Sequence, residues 1–229
     1  MRLAALLTLL AAPAEACRLA LVLALDVSSS VDGAEDALQR RGLARALRAP
    51  DVQAAVFAAP DPVALYVFEW SGRWDQVPIT PDWVLIETPE DLEAVARAVE
   101  ASRRGRTDMP TALGYALGHA AVALGRAPGC TYATIDVSSD GENNEGFPPG
   151  VAFSAFDFAE VTVNALVVGG ADGAPALMAY YRAQVLRGPG AFAVEARGYG
   201  DYARAMERKL VRELSPRAIG ALPGAETAG

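Results

Sequence analysis

The chain has one histidine, two cysteines and no excess of basic residues, and each shortage removes a class of activity. His119 lies in a helical stretch rich in Ala and Gly, where a structural role is expected, and a catalytic relay would find no second imidazole. No Gly-x-Ser-x-Gly turn marks a nucleophile elbow, so a serine hydrolase triad has little support and the sequence leaves only a Ser–Lys arrangement open. A P-loop is missing, and Leu25-Asp-Val-Ser28 lacks the second aspartate of a haloacid-dehalogenase-type phosphatase. A formal net charge of -8 and a pI near 4.8 offer no basic face for nucleic acid or an anionic membrane, and suit solubility and cation attraction instead. Internal repeats are absent, as are low-complexity segments outside the two ends of the chain.

What is present begins with an export signature. Arg2, a short apolar run over residues 3–12 and Ala14-Glu-Ala16 read as the charged, apolar and cleavage regions of a signal peptide spanning residues 1–16. That run falls short of the ~20 apolar residues of a membrane span, so no transmembrane segment is expected after cleavage. The expected product is periplasmic or secreted and starts at Cys17. Lipidation of Cys17 is the weaker reading, because Ala14 stands where a bacterial lipobox usually has Leu and Glu15 is out of character. A hydrophobic content of 52% over 229 residues supplies one sizeable core, giving one domain over 17–214 and a Pro- and Gly-containing tail over 215–229.

The organising stretch is Leu21-Val-Leu-Ala-Leu-Asp-Val-Ser-Ser-Ser30, an apolar strand ending in a carboxylate and alternating hydroxyls. Residues two apart in an extended segment point the same way, so Asp26, Ser28 and Ser30 can converge if the chain turns after the strand. Such convergence suits a hard cation, although Ser-rich strand ends also serve as turns and helix caps. Two further loops offer oxygens. Gly105-Arg-Thr-Asp-Met-Pro-Thr-Ala-Leu113 carries Thr107, and Thr134-Ile-Asp-Val-Ser-Ser-Asp-Gly141 ends a second apolar strand at Asp140.

Along the chain, helical patterns over 31–48, 89–103, 110–124, 174–186 and 199–214 alternate with strands over 63–70, 131–137, 161–168 and 191–196. In the first helix Leu38, Leu43 and Leu47 are expected inward, and Arg40, Arg41, Arg45 and Arg48 toward water. Thr88 is a good N-cap for the second, with Pro89 following it. Residues 52–58 read as a short helical turn, 73–81 as an edge strand or irregular connection, 83–87 as extended and 146–157 as a Pro- and Phe-containing excursion between strands. Trp70, Trp74 and Trp83 are expected in core or edge packing. This alternation specifies an α/β fold, a doubly wound and mostly parallel sheet with helices on both faces, and places ligands at the carboxyl ends of the strands.

The three oxygen-bearing loops make the chain resemble the von Willebrand factor A domain from about Arg18 to about Glu213. The runs Ile135-Asp-Val-Ser-Ser-Asp-Gly-Glu-Asn-Asn144 and Gly188-Pro-Gly-Ala-Phe-Ala-Val194 are similar to an uncharacterised secreted bacterial branch of that superfamily. The resemblance implies a metal-ion-dependent adhesion site in which Ser28, Ser30 and Thr107 coordinate a cation, with Asp26 and Asp140 binding it directly or through water. Mg²⁺ suits such ligation, with Mn²⁺ or Ca²⁺ as substitutes. Hydroxyl ligands leave the ion's charge largely unquenched, so its open position would take an acidic residue of a protein partner, and no catalysis is implied. A metal-assisted hydrolase and a purely structural ion are the alternatives. Asp108, Asp136 and Asn143 are possible supports around the ligands, with turn and cap hydrogen bonding as their plainer roles. If the strands ending at Asp26 and Asp140 are adjacent and parallel, as in this fold, Cys17 and Cys130 lie level at the opposite edge of the sheet. That arrangement implies a disulfide, against the alternative of two free thiols.

Overall fold

Strand β1 (Cys17–Asp26) sends Leu19, Leu21, Leu23 and Leu25 to one face of a sheet and Val22 and Ala24 to the other, so both faces are apolar and both must be covered. A computed structural model describes residues 17–216; the expected signal peptide, and the tail from residue 217 on, lie outside the described residues. Parallel neighbours β2 (Val63–Trp70) and β5 (Cys130–Ser139) flank β1, and β6 (Val161–Gly169) and β7 (Ala193–Arg197) extend the sheet beyond β5. Short strands β3 (Gln76–Pro78) and β4 (Val84–Ile86) run antiparallel along the free edge of β2. The order β3-β2-β1-β5-β6-β7 therefore reverses direction between β1 and β5, where a doubly wound sheet opens a crevice.

Helices α1 (Gly33–Arg48), α2 (Pro50–Val56), α3 (Pro89–Ala101) and α7 (Tyr202–Leu214) pack on the leucine face. The opposite face carries α4 (Leu113–Leu124), α5 (Pro149–Ala155) and α6 (Pro175–Gln184). The Ala-rich composition of α4 brings Ala116, Ala120 and Ala123 against the sheet, while its glycines meet other partners. A Cβ at Gly114 would collide with Phe147, and one at Gly118 with the Phe156 ring. Those glycines bring the chain after β5 close to the start of α4. Among the described residues no helix is long and apolar enough to cross a membrane.

Several local expectations are revised by tertiary contacts. Helix α1 starts at Gly33 because Asp32 accepts hydrogen bonds from the amides of Ala34 and Glu35 while Glu35 reaches back to the amide of Asp32. Thr88 and Asp91 make the matching capping box on α3. Residues 149–155, within the Pro- and Phe-containing excursion, form α5, with Pro149 at its first turn and Ala152 buried. Leu38 is exposed. Arg40, expected in water, is buried and pairs with Asp36 at 2.8 Å and with the buried Glu69 at 2.6 Å. The reason is angular: Arg40 shares the inward face of α1 with Asp36, Leu43 and Leu47, and β2 presents Glu69 opposite it. Trp70 is buried and Trp83 donates its indole N–H to Ala123 O, but Trp74 is 86% exposed.

Cys17 and Cys130 stand directly opposite each other in the β1–β5 register and are joined by a disulfide that closes a separation of 113 residues. In the chain-entropy model a loop of that size contributes ~4 to 5 kcal/mol. Replacing both cysteines by Ser is expected to lower the urea midpoint of unfolding and, by letting the unfolded chain expand, to steepen the slope; an unchanged midpoint would show that the bridge adds nothing to stability.

Candidate metal centre

At the carboxyl edge of the sheet, Asp26 ends β1 in full burial. Its carboxylate accepts from the Ser28 amide at 2.8 Å and from the Ser139 hydroxyl at 2.5 Å, while Gln39 Nε2 donates to the Asp26 carbonyl at 2.9 Å. Ser139 is level with Asp26 because β5 runs parallel to β1 with Leu25 opposite Ser138. Beyond Asp26 a file of oxygens leads outward. Thr111 Oγ1 donates to Ser28 Oγ at 3.1 Å, Ser28 and Ser30 hydroxyls lie 3.3 Å apart, and Ser30 Oγ donates to Asp140 Oδ1 at 2.7 Å. Thr111 and Ser28 are buried and Ser30 is exposed, so the file opens to solvent at one end.

Backbone hydrogen bonds lock the three loops together. The Ser29 amide donates to Met109 O at 2.8 Å, and Thr111 exchanges hydrogen bonds with Asn144, whose Oδ1 takes the Thr111 amide at 2.8 Å and whose amide reaches Thr111 O at 3.0 Å. The approach to Thr111 is held from behind: Arg40 also donates to Ser102 Oγ, and Glu69 accepts from the Gly105 amide at 3.1 Å. Tyr181, wholly buried, donates to Gly141 O at 3.1 Å and fixes the turn after Asp140.

Four of the five residues expected to form the site, Asp26, Ser28, Ser30 and Asp140, come together. Thr107 does not: it is exposed, and among the described residues no hydrogen bond links its hydroxyl to the cluster. The clamp of Ser29 on Met109 places Thr111 beside Ser28, four residues further along, and its signal in the sequence was a hydroxyl just ahead of the apolar helical run. Helix α4 accordingly starts at Leu113 and not at Pro110, because the Thr111 amide is engaged by Asn144. Ser139 and Tyr181 were likewise not singled out as functional supports, since their roles depend on residues distant in sequence.

The expected supports separate. Asn143 accepts from the Gly114 amide at 3.1 Å, tying the loop after β5 to the first turn of α4. Asp108 is exposed and faces Arg106 at 3.4 Å. Asp136 sits four residues before Asp140, ~13 Å away along a strand, and points to the other helix layer, where it pairs with Lys209 at 2.8 Å. It supports α7 and not the oxygen cluster. Lys209 is thereby engaged with carboxylates, and His119 with the Tyr66 hydroxyl at 3.0 Å, so neither activates a serine of this site.

Among the described residues no cationic side chain pairs with Asp26 or Asp140. Burial, together with the nearby Asp140 carboxylate, raises the Asp26 carboxyl to about 7, against the lowering effect of the Ser139 and Ser28 hydrogen bonds. Two carboxylates and three hydroxyls without a counter-charge form an oxygen-only donor set of the kind hard divalent cations take.

A family model described as "Protein of unknown function (DUF1194)" matches residues 16–218. No curated protein is significantly similar to the chain in sequence. Among solved structures, a von Willebrand factor type A protein from Catenulispora acidiphila superposes with a TM-score of 0.61 at 14% identity, covering 86% of this chain and 43% of that one. Proximal thread matrix protein 1 from the mussel byssus, with a zinc-occupied MIDAS motif, gives 0.58 at 17% identity over 87% of this chain and 48% of that one. The pilus adhesin SpaC from Lactobacillus rhamnosus GG gives 0.61 at 11% identity over 87% and 31%. The chain thus spans less than half the length of each, and at these identities the likeness is one of fold: a von Willebrand factor A architecture.

The raised Asp26 carboxyl has a direct consequence for the metal-free protein. The unfolded chain ionises this group near pH ~3.9 and the folded chain only at about 7, so between those values the folded state binds more protons and stability falls as pH rises. Asp26→Asn, similar in shape and uncharged, is expected to raise the melting temperature in chelator at pH 8 and to leave it near wild type at pH 4. Equal melting temperatures at pH 8 would contradict the burial of an ionised Asp26.

Proposed function

The chain belongs to the DUF1194 family of proteins of unknown function, and on that premise we propose that it is an exported, metal-dependent protein-binding module. The single observation that carries this reading is the convergence of Asp26, Ser28, Ser30, Thr111 and Asp140 at the carboxyl edge of the sheet with no cation of the protein's own among them. In this proposal the hydroxyls of Ser28, Ser30 and Thr111 ligate the ion. Asp26 and Asp140 supply charge, directly or through water, and an acidic residue of the partner completes the shell. Mg²⁺ is the favoured ion because it prefers octahedral oxygen ligation and retains waters, with Mn²⁺ and Ca²⁺ as substitutes. The zinc-occupied MIDAS of the mussel protein supports a divalent ion in a site of this fold. The adhesin among the similar structures supports partner binding, and with the disulfide it supports export.

The chemistry of the rim agrees with recognition and not turnover. Asp26 is already held by Ser139 and the Ser28 amide, which suits it to fix charge in place. Close by, the loop after β2 carries the exposed Trp74 and is tied to the Thr111 loop by the Ala112 amide donating to Ser71 O at 2.9 Å. A large exposed aromatic beside a charged centre is the usual anchor of a protein interface.

Thr111→Val is expected to weaken Mn²⁺ binding, read by calorimetry or electron paramagnetic resonance, by ~10-fold or more, whereas Thr107→Val leaves it unchanged. The reverse result would reinstate Thr107 as the ligand. Affinity-tagged wild type is expected to co-purify a partner in Mg²⁺ but not in chelator, and Asp26→Ala to lose it in both. Trp74→Ala should lower partner recovery while keeping Mn²⁺ affinity. If chelation lowers only the melting temperature and recovery is unchanged, the ion is structural and the adhesion reading fails.

A further inference from the structure

Lys209 is the only lysine of the chain; the other nineteen cationic side chains are Arg. This one amine is also wholly buried, in a place remote from the oxygen cluster. Its Nζ lies 2.8 Å from Asp136 Oδ1 on β5 and 2.5 Å from Glu213 Oε1 one turn further along α7, and both carboxylate side chains are 1% exposed. Nζ also stands 5.0 Å from the centre of the Phe192 ring. Asn164 on β6 holds Glu213 in place, its Nδ2 donating to Oε1 at 2.7 Å while its Oδ1 accepts from the Phe192 amide at 2.9 Å.

We propose that Lys209 and Asp136 condense into an intramolecular amide that joins α7 to β5, with Glu213 relaying the proton. The two acids differ in the way this needs. Glu213 is anchored by Asn164, whereas among the described residues no backbone amide or hydroxyl reaches either oxygen of Asp136, so its ionised form has little stabilisation beyond the ammonium. Burial and the facing Glu213 carboxylate push the Asp136 carboxyl upward, toward the neutral acid. Taking an amine and two carboxyl groups out of water as ions costs several kcal/mol per charge after relaxation, so a neutral amide is favoured over a buried ion pair at this place. A guanidinium stays charged under all such conditions, whereas a lysine can give up its proton when buried.

The step balances without a redox partner. The Nζ lone pair attacks Asp136 Cγ and a C–N bond forms. Glu213 takes a proton from nitrogen and returns it to the departing hydroxyl; the C–O bond then breaks and one water leaves. Holding amine and carboxyl in contact makes the reaction unimolecular, which supplies the advantage that neighbouring groups in solution lack. Glu213, having taken one proton and given it back, ends as it began, held by Asn164, and the product amide replaces the buried amine and acid.

The test uses the full chain, purified, denatured and reduced to open the Cys17–Cys130 bridge. With one lysine present, a protease that cuts only after lysine has one site. The expected result is complete resistance at Lys209, together with a branched fragment, released by a separate digest after arginine, that joins residues 127–182 to residues 209–212 and is lighter by one water than their sum. Glu213→Gln, folded by circular dichroism, is expected to restore cleavage at Lys209. Cleavage of wild type into two fragments of unmodified mass overturns the proposal. A branch to Glu213 in place of Asp136 overturns the assignment of the electrophile, and a fully linked Glu213→Gln overturns the relay.

Discussion

The parallel register of β1 against β5 is the constraint on which the remaining features rest. It sets Cys17 opposite Cys130 at one edge of the sheet and brings Asp26 level with Ser139 at the other. A slip of one residue would turn the leucines of β1 toward the α4 layer and rotate Asp26 away from the cluster, since side chains alternate along a strand. Because β1 is covered on both faces, such a slip exposes nothing to water but misfits both layers. The disulfide at the far edge pins the same register covalently, so a bond at one end of the strand pair stabilises the alignment of the polar end.

Three groups of buried charges hang from this sheet, and each is accommodated differently. Arg40 and Glu69 form a hydrogen-bonded ion pair with Asp36, and by holding Ser102 and the Gly105 amide they steady the loop that leads to Thr111. Asp136, Lys209 and Glu213 share a dry layer beneath α7, where charges are stable only if paired, neutralised or consumed. Asp26 has hydrogen bonds but no cation among the described residues, and the file of hydroxyls beyond it reaches solvent at Ser30. The first group serves the scaffold, the second fastens a helix, and the third leaves an unbalanced charge near the surface.

Much of this was legible in the chain itself. Apolar runs ending in Asp26 and Asp140 marked the central strands and the site edge, and Thr88 marked the start of α3. The errors share one cause. Thr107 and Thr111 are both loop threonines ahead of a helix, and what separates them is the contact of Ser29 with Met109. Arg40 looked like one more solvent-facing arginine until β2 supplied Glu69. Asp136 was expected beside the ligands, yet its partner lies on the last helix, 73 residues away in sequence.

The sequence by itself determined the α/β class, the order of most elements, the edge of the sheet where chemistry gathers and four of the five oxygens there, because strand periodicity and strand-end composition are local properties. Only the tertiary structure decided which threonine enters the cluster, which charges are buried and which partner each one meets. Those outcomes depend on segments far apart in the chain being brought within hydrogen-bond distance, and a hydrogen bond or ion pair has a range of only a few ångströms.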